Sequence, residues 1–237
     1  MKALTLGYAS WRESTNPSSR AGSASVFLTG SVGGNYQLMR YSARRSRAAR
    51  FALSSSPFWA SSARLSSGIG ARLWHFRKNT LLARLKNNAA IGMDGVITMQ
   101  DFYKKGGFEI AFRDERYQRI GEVFESDPNV SNFTIEDLTA ILDFDLECFG
   151  VNRKKFLVPW LLSANARSIT YKSTDGLKGF AVIRKCHLGY KIGPLFAENF
   201  SVAEALYKTC LTIGQGEQIF LDIPVVNKDA IDLVKKF

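Results

Sequence analysis

Ile91-Gly-Met-Asp-Gly-Val-Ile97, Met99-Gln-Asp-Phe-Tyr-Lys-Lys105 and Gly106-Gly-Phe108 follow one another almost without a break. Residues 91–97 read as a short strand with an irregularity at Asp94-Gly95. Residues 99–105 read as a short helix, and Gly106-Gly107 stand where a left-handed C-cap is needed. Phe108–Phe112 alternates apolar and polar residues and reads as the next strand. The end of the chain resembles this stretch: strand Gln218–Ile223, then a helix over Asn227–Phe237 carrying Asp232-Leu-Val-Lys-Lys236. Both are strand-then-helix units closing on Asp, an apolar residue, any residue and two lysines, and a repeat of this kind implies two related halves. A helix precedes each unit. Ala71–Lys86 carries Leu73, Trp74, Leu81, Leu82 and Leu85 on or near one side, and Val202–Ile213 is the second.

Between the two units, Asp127-Pro128-Asn129 is a turn and the best linker candidate. Thr134-x-x-Asp137 resembles a capping box. It opens a helix with Leu138, Ile141, Leu142, Leu146 and Phe149 at helical spacing, followed by a second helix over Arg153–Leu162 disturbed by Pro159. Ser168–Lys172 and Gly179–Lys185 flank Ser173-Thr-Asp-Gly176, a strong hairpin signal, and Tyr190–Phe196 is a third strand.

Several of these strings are shared with one enzyme superfamily. Tyr103-Lys-Lys-Gly-Gly107-Phe108 resembles the end of the fourth helix of GNAT acyltransferases. Gly68-Ile-Gly70-Ala-Arg-Leu-Trp74 is similar to the tail of their acyl-CoA signature, although Leu65 stands in its Gln/Arg place. Asn227-Lys-Asp-Ala-Ile-Asp-Leu-Val234 resembles the same late helix, with Val234 in the tyrosine position. Gly92-Met-Asp-Gly95 through Tyr103, and Tyr190-Lys-Ile-Gly-Pro-Leu-Phe196, resemble a tandem branch in which a second, divergent copy follows the first. The resemblance implies an α/β fold: a GNAT-like mixed sheet with flanking helices, in two GNAT-like halves preceded by a disordered segment. It divides the chain into residues 1–67, a disordered Arg/Ser-rich segment; 68–126, the C-terminal part of an N-acetyltransferase domain truncated on its N-terminal side; and 130–237, the divergent copy.

In that fold a splayed parallel strand pair admits the pantetheine arm, and a glycine-rich turn at a helix start presents N–H groups to the pyrophosphate. The resemblance therefore implies that Gly68, Gly70 and Ala71 bind acetyl-CoA as co-substrate and that Tyr103 is the catalytic acid. A phenol with an ordinary pKa near 10 is protonated at neutral pH and can donate to the departing thiolate. The plainer readings are a loop at Gly68–Gly70 and a core tyrosine at Tyr103. The second copy offers Gly193-Pro194 in place of a glycine-rich turn and is expected to bind acyl-CoA poorly. The implied function is transfer of an acetyl group from acetyl-CoA to an amine acceptor. The alternative from another class is a non-catalytic acyl-CoA-binding or interaction protein derived from such an enzyme.

Charge and composition bound the remaining classes. The net charge is +11, and residues 1–70 hold nine Lys/Arg against the single acid Glu13. Basicity thus belongs to the N-terminus, where sixteen serines also fall within residues 1–67 and no period of 2 or 3.6 is present. This composition is that of a solvated tail, and also that of a mitochondrial transit peptide. Arg40–Arg50 is dense in charge but poor in aromatics for base stacking, which argues against nucleic acid. Cys148, Cys186 and Cys210 lack CxxC spacing, and His75 and His187 are isolated. Neither a metal site nor a disulfide framework is expected, and a reduced cytoplasmic compartment fits. No run of 18 apolar residues exists, so no membrane-spanning helix is expected. Arg113, Arg116 and Tyr117 are read as a solvated strand end, with contact to substrate or CoA phosphates as the alternative, Asp222 as the cap of a turn before Pro224, and Cys148 as core.

Overall fold

The computed structural model of the chain describes residues 4–6, 25–28, 36–42, 79–80, 83, 90–97, 100–150 and 152–237. For the first three segments and for 90–96 it describes the backbone alone. The chain forms two compact units, Asn16–Asp114 and Met1–Thr15 with Glu115–Phe237. The Asp127–Asn129 turn, expected as a linker, lies inside the second of these. Its Asp127 carboxylate accepts from Asn129 N at 2.8 Å, and Asn129 Nδ2 reaches Tyr171 Oη at 3.2 Å, tying the turn to a strand of the same unit. The helix expected over Ala71–Lys86 falls mostly outside the described residues; Asn79 and Thr80 are helical.

In the Asn16–Asp114 unit the strand order is β2 (Ser25–Leu28), β4 (Ala90–Val96), β3 (Tyr36–Ser42) and β5 (Phe108–Ile120), of which residues 108–114 belong here. β4 runs parallel to β2 over Ala90–Met93 and antiparallel to β3 along its whole length. The irregularity expected at Asp94-Gly95 is absent, since both residues keep register with Leu38 and Gln37. The register shift lies instead between Leu38 and Met39, where β3 meets β5. Helix α1 (Gln100–Lys105) ends as its sequence demands: Gly106 N donates to Phe102 O, Gly107 N to Lys104 O, and Gly107 takes φ +88°, the left-handed region that favours glycine.

In the other unit the order is β5 (residues 115–120), β10 (Gln218–Pro224), β9 (Tyr190–Ala197), β8 (Gly176–Lys185), β7 (Ala166–Ser173) and β6 (Val130–Asn132). β1 (Leu4–Leu6) is antiparallel to β9. The hairpin turns at Thr174–Asp175, and Gly176 at φ +114° supplies the conformation that other residues resist. The capping pair forms as expected: Asp137 Oδ2 accepts from Thr134 N at 3.0 Å and from Thr134 Oγ1 at 3.3 Å. One turn of 3-10 helix (Ile135–Asp137) then leads into α2 (Leu138–Phe149). α3 (Lys154–Leu161) contains Pro159. α4 (Phe200–Ile213) is capped by Asn199 Oδ1 on Val202 N, and α5 (Lys228–Lys236) by Asn227 Oδ1 on Ala230 N.

The sheet of this unit is covered on both faces. Leu206, Cys210 and Leu211 of α4 and Leu233 of α5 are buried against Ile183, Ile192, Leu195, Ile219 and Leu221. On the opposite face Phe180 and Phe196 are fully buried, edge to face at 5.6 Å, beneath the helices carrying Ile141 and Leu157. Each fully buried Leu, Ile or Phe contributes about 1.5–3 kcal/mol, so the two layers, rather than any surface pair, hold the unit together.

Candidate functional site

Gly68, Gly70 and Ala71 lie outside the described residues. Tyr103 is described. It sits on α1, is 2% exposed, and meets Phe102 edge-on at 6.0 Å. In its own unit β2 is parallel to β4 over Ser25–Leu28 against Ala90–Met93, and β4 leads toward the helix that holds the tyrosine.

The other unit holds a parallel pair that parts. β9 and β10 are parallel over Tyr190–Ile192 and Ile219–Leu221, and no pairing between them is recorded beyond that point. The Gly193–Pro194 bond is cis. One edge of β9 is taken along its length by β8. Leu195, Phe196 and Ala197 therefore use the edge that faced β10 when they pair with Leu6, Thr5 and Leu4. The backbone of β1 thus occupies the edge that the parting exposes.

Where β9 and β10 are still paired, one face of the sheet is charged. Arg184 on β8 stands directly across from Lys191 on β9, and Lys191 stands across from Phe220 on β10. Asp222, two residues further along β10, accepts from Lys191 Nζ at 2.5 Å. It also accepts from Arg116 Nε at 2.7 Å and Arg116 Nη2 at 3.0 Å. All three side chains are at most one-fifth exposed. Burial by itself would raise the Asp222 pKa. The hydrogen bonds from Arg116 and Lys191 and their positive charges outweigh it and hold the carboxyl below its usual range. Asp222 therefore caps no turn before Pro224, since β10 runs on through Pro224 and the turn lies after it, closed by Asn227 N on Pro224 O at 2.8 Å, and Arg116 is not a solvated strand end. Trp160 of α3 reaches the same place: its indole N–H donates to Gly193 O at 3.0 Å. The Arg184 guanidinium lies 4.9 Å from its ring centroid, and Phe156 stacks on it at 5.2 Å.

Nothing in the local sequence groups Trp160, Arg184 and Lys191, which lie on separate elements. Cys148 is core, as expected, and burial raises the Cys210 thiol well above its usual range, leaving it unreactive as a nucleophile. Away from this face, Asp145 of α2 and Arg153 form a buried pair, with Arg153 also 4.0 Å from the Phe149 ring. A cavity of about 230 Å³ lies beside them, lined by Leu142, Leu146 and Lys154 among others. Among the described residues no group of three or more His, Cys, Asp or Glu could hold a metal ion. No described helix is long and apolar enough to cross a membrane.

The mixed sheet with flanking helices matches the GNAT fold. Residues 141–237 match the family model described as an acetyltransferase (GNAT) domain. The holothin acyltransferase of Pseudoalteromonas sp. (strain SANK 73390) is 30% identical over 149 residues, covering 62% of this chain and 51% of that protein. A putative acetyltransferase from Pyrococcus horikoshii, solved at 2.25 Å, superposes with a TM-score of 0.59 at 27% identity, over 73% of this chain and 56% of that one. The family match thus falls on residues 141–237, and the chain spans about half the length of the curated relative it matches.

Proposed function

We propose that this protein is an acyl-CoA-dependent N-acyltransferase, moving an acyl group, acetyl in the simplest case, from the CoA thioester to an amine. The observation that supports this reading is a parallel strand pair, β2 with β4, whose second strand leads into the helix on which Tyr103 is buried. Gly68, Gly70 and Ala71 receive the pyrophosphate, and the pantetheine arm lies along that pair. The unprotonated amine attacks the thioester carbonyl carbon and the C–S bond breaks. The Tyr103 hydroxyl gives its proton to the departing thiolate, and the proton shed by the amine passes through solvent to restore the phenol. Positioning does most of the work, and Tyr103 acts only when charge develops on sulfur. In the other unit Leu4–Leu6 on the β9 edge favours a non-catalytic role for that copy.

Tyr103→Phe tests the assignment because it removes only the hydroxyl. A general acid is worth about 10²–10⁴-fold, so kcat should fall by that much while acyl-CoA affinity stays nearly unchanged. A normal kcat, with stability lower by about 1 kcal/mol, would make Tyr103 a core residue. Thermal-shift titration with acetyl-CoA against free acetate tests the reading as a whole: a ligand bound only by the folded chain raises Tm, and no rise with acetyl-CoA would reject it.

A further inference from the structure

The geometry points to a carboxylate-binding site on the β8–β9 face of the Glu115–Phe237 unit, formed by Arg184 and Lys191 beside Trp160 and Phe220. Four charged side chains meet there, the cations Arg116, Lys191 and Arg184 and the carboxylate of Asp222. Three positive charges against one negative leave +2 on a half-buried surface. Arg116 and Lys191 share Asp222, so the excess centres on Arg184.

Two features of Arg184 are unfavourable as they stand. It lies directly opposite Lys191 on antiparallel strands, and like charges in that position destabilise a sheet. Its Nε is buried and has no hydrogen-bond partner among the described residues. A buried donor left unpaired costs about 1–3 kcal/mol. An anionic ligand offsets the like-charge opposition: a planar carboxylate engages the guanidinium through its Nη groups, and the second cation strengthens the contact. The surroundings specify the rest of the ligand. Trp160, held by its bond to Gly193 O, backs the guanidinium and fixes its plane, and Phe220 offers an apolar surface directly across from Lys191. The ligand is therefore a small carboxylate with an apolar or aromatic body. The site stands on the geometry of this unit alone and needs no acyl transfer to be real.

Ligand-observed NMR on the full chain tests it with benzoate, with benzamide as the uncharged isostere, and with inorganic phosphate as competitor. Benzoate should bind saturably, at least about tenfold more tightly than benzamide, and Arg184→Gln should remove most of that preference. Without ligand, Arg184→Gln should melt no lower than the parent, because it relieves the repulsion and the unpaired charge. Equal binding of benzoate and benzamide would overturn the proposal. So would an Arg184→Gln protein that melts lower and binds benzoate as before, since Arg184 would then be structural. Phosphate displacing benzoate at equal concentration would overturn the carboxylate assignment in favour of a phosphate-bearing ligand. None of these readouts uses acyl-CoA. A failed thermal shift with acetyl-CoA would remove the acyltransferase reading and leave this site standing, and the reverse result would do the opposite.

Discussion

Truncating Asp145 to alanine should be among the most damaging single changes in the Glu115–Phe237 unit. Its carboxylate accepts from Arg153 Nε at 2.9 and 3.1 Å and from Arg153 Nη2 at 2.6 Å. The two side chains are 3% and 11% exposed, so solvent cannot replace what is lost. The guanidinium is held where it is by packing on Phe149 and Phe196, at 4.0 and 5.5 Å, and cannot swing out to water without opening that contact. Removing one partner of a buried pair costs about 3–5 kcal/mol, against about 0–1 kcal/mol for an exposed pair. At roughly 2–4 °C per kcal/mol for a chain of this length, Tm should fall by about 6–20 °C. Replacing both partners together, as Asp145→Leu with Arg153→Met, should recover most of the loss, because the desolvated charges go together. Urea titration followed by far-UV circular dichroism gives both numbers. A loss below about 1 kcal/mol for Asp145→Ala, or a double variant no better than the single one, would refute the reasoning and show that the pair behaves as if it were in water.

Asp222 carries a pH signature: its carboxyl is held below the ordinary carboxylate range, so its contribution is full above the unfolded value near 3.9 and is lost as pH falls through the lower folded one. Asp222→Asn should therefore flatten the acid limb of a plot of Tm against pH, and an unchanged limb would show that Arg116 and Lys191 do not act on it. Removing residues 1–15 should free the β9 edge at Leu195–Ala197, seen as faster amide exchange there. If that edge can take a pantetheine arm, acetyl-CoA affinity should rise in the shortened chain. Unaltered exchange at those amides would mean that Leu4–Leu6 does not hold the edge in solution.

Much of the architecture was legible before any coordinates, because it depends on contacts short in sequence. Periodicity marked α2, and the Thr134–Asp137 pair marked its start. Ser173-Thr-Asp-Gly176 marked the hairpin, and Gly107 marked the stop after α1, each through a local hydrogen bond or a backbone angle that few residues tolerate. The strand-then-helix repeat was visible for the same reason, since each copy fits within some twenty residues of chain. What only the tertiary structure decided is pairing across long separations. β1 lies beside β9, nearly two hundred residues on, and the unit boundary falls inside β5 rather than at a proline turn. Arg116 meets Asp222 across 106 positions. The sequence reading took Asp222 for a turn cap and Arg116 for a solvated end because each, seen locally, has only water for company. Placed on adjacent strands they neutralise one another, and the cation left over, Arg184, is the one that marks a site. Strand register, which shifts every side chain to the opposite face if it slips by one residue, is set by the whole sheet and is written in no single segment of the sequence.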